Sequence, residues 1–69
     1  MNLDDYRKEC GFSISELARR AEVDYNTVDR ALKGKSISGR TAFALAQAIS
    51  ERLGRPVRYQ EIDGLNVNV

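Results

Sequence analysis

Apolar residues recur along this chain with the period of a helix, in four separate runs. Leu3, Tyr6 and Cys10 make the first. Asn2 stands before them as an N-cap, and Asp4 and Asp5 fall in the first turn, where acids favour the positive end of the helix dipole. The spacing predicts a helix from about Leu3 to Cys10, closed by Gly11. In the second run Ile14, Leu17, Ala18 and Ala21 repeat at i, i+3, i+4 and i+7. Ser13 and Glu16 have the spacing of a capping box, and Phe12 and Leu17 that of a hydrophobic staple. This helix ends near Ala21. Glu22 and Val23 form a brief connection to Asp24, the N-cap of a third helix, whose apolar side is Tyr25, Val28, Ala31 and Leu32 and which Gly34 ends.

Lys35-Ser36-Ile37-Ser38-Gly39 is small and polar, hence a loop. A longer helix follows from about Arg40 to Leu53. Its stripe is Ala42, Leu45, Ala46, Ile49 and Leu53, widened by Phe43, and Gly54 and Pro56 stop it. Tyr59 to Ile62 has room for one further helical turn before Gly64. Residues 65–69, Leu-Asn-Val-Asn-Val, alternate apolar and polar with the period of a strand. A lone strand of this length is either frayed or paired with a second copy. The pattern as a whole predicts an all-α fold, a compact bundle of four to five short helices. Residues 1–64 form a helix-turn-helix domain, and residues 65–69 a C-terminal tail able to serve as a dimerisation strand.

The second and third helices, short and tightly joined, form the helix-turn-helix. Successive residues turn by about 100° around an α-helix. With Val28 facing the core, Asn26, Arg30 and Lys33 gather on the opposite face, flanked by Thr27 and Asp29. That face suits a DNA major groove. An Asn amide pairs with adenine and an Arg fork with guanine. Thr27 can reach a phosphate oxygen or set its methyl against thymine. Asp29 can accept from cytosine N4 or hold Arg30 in place. Tyr25 stands at the first turn, where side chains project toward DNA in this motif. The bland alternative is an exposed polar face with no partner.

Phosphate contacts should frame the reading helix. Ser13, Ile14 and Ser15 open the second helix, where free N–H groups and the dipole suit an anion. Lys33, Lys35, Ser36 and Arg40 follow the third helix and can grip the backbone.

Charge sharpens this picture. The formal net charge of the 69 residues is only +1. Between Arg19 and Arg40, however, six basic residues face three acids. A local basic surface is what a polyanion requires. With one cysteine and no histidine, an intramolecular disulfide, a Cys/His zinc site and a His-based nucleophile cannot be built. No Gly-rich phosphate loop follows a strand. The expectation is a protein that is not an enzyme, uses no cofactor and has no small-molecule substrate. The lone thiol fits a reducing cytoplasm, and nothing in the chain reads as a membrane span or signal peptide.

The segment from Ser13-Ile14-Ser15-Glu16-Leu17-Ala18 through Val23 to Gly34-Lys35 resembles the repressor/Cro (Xre-like) helix-turn-helix family, and the likeness extends over roughly residues 2–54. Tyr25-Asn26-Thr27-Val28-Asp29-Arg30 is also similar to the recognition helix of lactose-repressor-type regulators, in which the equivalents of Tyr25, Asn26 and Arg30 read bases. The resemblance implies a lambda-repressor-like bundle and a regulator of transcription, commonly bacterial or phage, working in the cytoplasm or nucleoid. There are two departures. The family usually has Gly where Glu22 stands, so a left-handed conformation is an expectation for Glu22. It also often pairs an acid near the end of the third helix with an Arg of the first. Here Arg7 is present, but Leu32 holds the acid's place.

The function expected is a sequence-specific DNA-binding regulator, a repressor, acting as a homodimer on a palindrome, since one short helix covers few base pairs. Dimer surfaces suggested by the sequence are the end of the long helix around Leu53 and the tail from Val57 onward. A protein-interaction module, such as an antitoxin or adaptor, is the competing reading, because the same fold serves both and the tail can add a strand to a partner's sheet.

Overall fold

The computed structural model describes residues 1–68. Four α-helices, a single 3₁₀ turn and two very short strands follow one another: α1 (Leu3–Cys10), α2 (Ile14–Ala21), α3 (Tyr25–Leu32), β1 (Ile37–Ser38), α4 (Gly39–Leu53), the 3₁₀ turn Tyr59–Glu61 and β2 (Val67–Asn68). The helical bundle expected from the hydrophobic pattern is present, and the turn at Tyr59 falls where the sequence left room for it.

Local chemistry sets the boundaries. The Asn2 side chain accepts from the Asp5 amide at 2.8 Å, and the Asp5 carboxylate accepts from the Asn2 amide at 3.0 Å, a reciprocal cap. The box expected at α2 is only half made. Ser13 Oγ accepts from the Glu16 amide at 3.0 Å, but the Glu16 carboxylate turns instead to Arg19 and Arg20. Two nearby guanidinium groups outcompete a backbone amide for a charged acceptor. Asp24 occupies the N-cap of α3 without making a side-chain cap bond. Helix α4 begins one residue earlier than its apolar stripe suggests, because Ser38 caps it by accepting from the Thr41 amide at 3.1 Å.

Leu17 of α2, Val28 of α3, and Leu45 and Ile49 of α4 are the largest fully buried side chains and form the centre of the core. Each contributes about 1.5–3 kcal/mol by leaving water. Helix α2 packs on both α3 and α4, and α1 on α4. Arg20 and Arg52, from α2 and α4, place their guanidinium groups 5.4 and 5.8 Å from the Phe12 ring, and Arg52 also donates to the Cys10 carbonyl at 3.0 Å, tying α4 to the end of α1. Among the described residues no buried polar side-chain atom lacks a hydrogen bond.

The stretch after α3 departs from its reading as a loop. Ile37, 6% exposed, is a core residue, and Ile37–Ser38 is a strand. Its partner is β2, in parallel register Ile37↔Val67 and Ser38↔Asn68. The tail was expected to be frayed or paired with a second copy. Instead, Val67–Asn68 finds its partner within its own chain, while residue 69 lies outside the described residues. The pairing is parallel because a long crossover, α4 and the 3₁₀ turn, separates the two strands. Ser50 anchors the return: its Oγ accepts from the Val57 amide at 2.8 Å, so the chain leaving α4 folds back along it.

Candidate nucleic-acid interface

Helix α3 buries one side and presents the other. Val28 and Ala31 are 0% and 3% exposed, whereas Asn26 and Arg30 stand in solvent and Tyr25 is half exposed. Thr27 and Asp29 sit partly buried at the margins, and Lys33 is exposed beyond them. The rotation of the helix thus puts Asn26, Arg30 and Lys33 on one accessible surface. Helix α2, packed on the inner side, holds it there.

The turn between α2 and α3 is built on Glu22, at φ 58° and ψ 43°, the left-handed region that the family usually fills with Gly. The Glu22 amide donates to Arg19 and the Val23 amide to Ala18, so the last carbonyls of α2 are satisfied and the chain reverses in two residues. Arg7, lacking its acid near the end of α3, donates to Asp4 at 2.8 and 3.0 Å and to the Phe12 carbonyl at 2.8 Å. Leu32 packs partly buried against the core instead.

Charge pairing divides the basic residues into two sets. Arg19 and Arg20 share Glu16, whose carboxyl they hold below the usual carboxylate range. Lys33 lies 3.0 Å from Asp29. Asp29 therefore serves Lys33 and not Arg30, one of the two roles the sequence offered it; Lys33 is four residues on and reaches back along the same face. Arg30, Lys35 and Arg40 form no ion pair among the described residues. These three cations lie at the end of α3, in the following loop and at the start of α4. Arg30 instead donates from Nη2 to the Ser36 carbonyl at 3.2 Å.

The residues expected to meet phosphate are accessible in different degrees. Ser13 and Ser15 are exposed at the head of α2 and Ile14 is partly buried, with Ser13 Oγ engaged in its cap. Lys35, Ser36 and Arg40 are exposed. One participant escaped the sequence reading: Asn66, whose carbonyl accepts from the Ile37 amide at 2.9 Å and whose side-chain amide approaches the Gly34 carbonyl at 3.4 Å. The only hint of it was the alternation in the tail.

A short exposed helix, held across a tight turn by its predecessor and bordered by cations that form no ion pair among the described residues, is the working part of a helix-turn-helix DNA-binding domain. The chain belongs to the helix-turn-helix family of Cro/C1-type, Xre-like regulators, whose profile matches residues 3–59. It is a DNA-binding helix-turn-helix protein of the transcription-regulator class. Comparisons with curated proteins and with solved structures give no match. Among the described residues no helix is long and apolar enough to cross a membrane.

Proposed function

We propose that this protein is a sequence-specific repressor that binds a palindromic site as a homodimer, reading the major groove with α3. The observation that carries the reading is the shared exposure of Asn26 and Arg30 on a helix whose opposite side is fully buried. Asn26 reads adenine and Arg30 reads guanine. Tyr25 and Thr27 add contacts at the first turn. Asp29 tunes the set through Lys33 or accepts from cytosine when Lys33 turns to phosphate. Ser13, Ile14 and Ser15 offer the head of α2 to one backbone, and Lys33, Lys35, Ser36 and Arg40 grip another. Repression follows from occupying the operator.

For the homodimer this reading places the contact on the exposed side of α4. Phe43 is 62% exposed beside an apolar groove lined by Ala46, Ser50, Val57 and Tyr59. Glu51 and Arg58 border the groove with opposite charges and form no ion pair within the described chain. Gln47 lies midway between Phe43 and Glu51 on the helix. In this reading a two-fold axis near Gln47 would set Phe43 of one copy opposite Glu51 of the other, as an isologous contact requires.

Selection of bound sequences from random duplexes tests the reading. The expected result is an enriched palindrome with half-sites about one helical turn apart. Failure to retard any duplex at low salt overturns it and favours a protein-interaction role.

A further inference from the structure

The loop that carries Lys35 and Ser36 has restraints on two sides. Toward α3, the Lys35 amide donates to the Arg30 carbonyl at 2.9 Å. On the other side stands the C-terminal tail. The Ile37 amide donates to the Asn66 carbonyl at 2.9 Å, the Asn66 side chain reaches the Gly34 carbonyl, and Ile37–Ser38 runs in register with Val67–Asn68. Gly34 itself sits at φ 77°, and a Cβ built there would lie 3.9 Å from the Gly64 carbonyl oxygen, so the tail runs close beside the turn.

We propose that the tail, through Asn66 and β2, is a positioning element for DNA binding: it fixes the α3–α4 loop so that Lys35, Ser36 and Arg40 meet the phosphate backbone in register with the base-reading face of α3. The inference rests on the DNA-binding reading above. Its physical basis is where the tail is attached. The tail packs Leu65 and Val67 partly buried against a core that already includes Ile37, so part of its contribution is to the fold. Yet its hydrogen bonds fall on the backbone between the reading helix and the head of α4. That backbone carries a glycine at each end, Gly34 and Gly39, and has no regular structure apart from β1. Without the tail, DNA must itself order the loop. Fixing even one residue's backbone in this way lowers affinity by about tenfold.

Two variants test this: deletion of residues 65–69, and the full-length double substitution Asn66→Ala with Val67→Ser. Each is titrated with the selected operator and with a scrambled duplex over a range of salt, and its folded fraction is set by circular dichroism. The expected result is about tenfold weaker binding to both duplexes per folded molecule. The salt slope should be shallower by about one, and the ratio between duplexes unchanged, because phosphate contacts and not base contacts are disturbed. A merely structural role would lower the melting temperature and leave affinity per folded molecule and salt slope as they were. If the deletion fails to fold, the double substitution decides alone, and unchanged affinity there overturns the inference. A full-length chain that binds no duplex overturns the parent reading and this inference together. A full-length chain that binds while folded variants bind equally well overturns this inference only.

Discussion

Arg30 Nη2 donates to the carbonyl oxygen of Ser36 at 3.2 Å, joining α3 to the loop that follows it. A carbonyl is a weak hold on a guanidinium, so under the proposed function Arg30 should give up this bond when it meets a better acceptor. Guanine offers O6 and N7 together, which a neutral carbonyl cannot rival. Arg30→Ala should therefore lose about 1–3 kcal/mol of preference for the selected site over its single-base variants at one position. Arg30→Lys should not restore it, since an ammonium lacks the fork. Lys35→Ala should weaken all duplexes alike and lower the salt slope by about one. Titrations of matched and mismatched duplexes separate these outcomes, and equal behaviour of the two alanine variants would discard the division of roles.

Glu22 occupies a left-handed turn that costs a residue with a Cβ about 1–2 kcal/mol. Glycine removes the steric cost but gives back part through the entropy of the unfolded chain. Glu22→Gly should stabilise the domain by roughly 0.5–1 kcal/mol, read as a rise in the urea midpoint at unchanged slope. DNA affinity should not move, because Glu22 is not among the residues assigned to DNA contact. A fall in the midpoint would mean that Glu22 has a stabilising partner outweighing its strain.

Most helix boundaries were legible because each carries a local chemical signal: Asn2, Ser13 and Asp24 at the starts, Gly11 and Gly54 at the ends. The outward face of α3 followed from rotation about Val28 alone. What escaped was non-local. Ile37 lies among small polar residues, so nothing nearby marks it as core. Its strand partner, Val67, stands thirty positions on, beyond α4 and the 3₁₀ turn. The choice of Glu16 between the Ser13 amide and the two arginines was also hidden, because both partners satisfy the same spacing rule. Sequence periodicity reports which face of an element is buried; it does not report which of two polar partners wins.

Phe43 is a large apolar side chain left mostly in water, and the proposed two-fold pairing would cover it. Phe43→Glu places a charge at that contact and, in the same arrangement, sets it near the partner's own Glu51. Binding to a full palindrome should fall by about 10- to 100-fold, the loss expected when two linked binding events become independent. Affinity for an isolated half-site should stay within about twofold. Gel retardation with whole and half operators reads both quantities, and parallel losses on the two duplexes would remove this surface as the dimer contact.

Cys10 is 2% exposed in the end of α1, and burial pushes its thiol above its ordinary value. Thiolate, not thiol, reacts with disulfide reagents. The native protein should therefore label only as fast as it opens, and added operator DNA should slow labelling further by binding the folded form. Timed reaction with an aromatic disulfide, with and without DNA, checks this. Rapid stoichiometric labelling under native conditions would show that α1 opens independently of the rest.

Acid should weaken the fold through Asp4 and Glu16. Asp4 is held below its ordinary value by hydrogen bonds from Arg7 and then Lys8, and Glu16 by those from Arg19 and then Arg20. A carboxyl depressed in the folded state contributes stability above its unfolded value, and that contribution is lost as pH falls through the folded value. Stability should thus be level from neutrality down to about pH 4, the ordinary carboxylate range, and decline below it. Both groups remain partly exposed, so each contributes little and salt reduces it further. Glu16→Gln removes one of the two and should make the acid limb shallower, while leaving the neutral plateau slightly lower. Urea midpoints measured across this range in the parent and the variant give the comparison. A midpoint that rises on acidification would require carboxyls destabilised by folding, opposite to the direction set by the four guanidinium and ammonium partners.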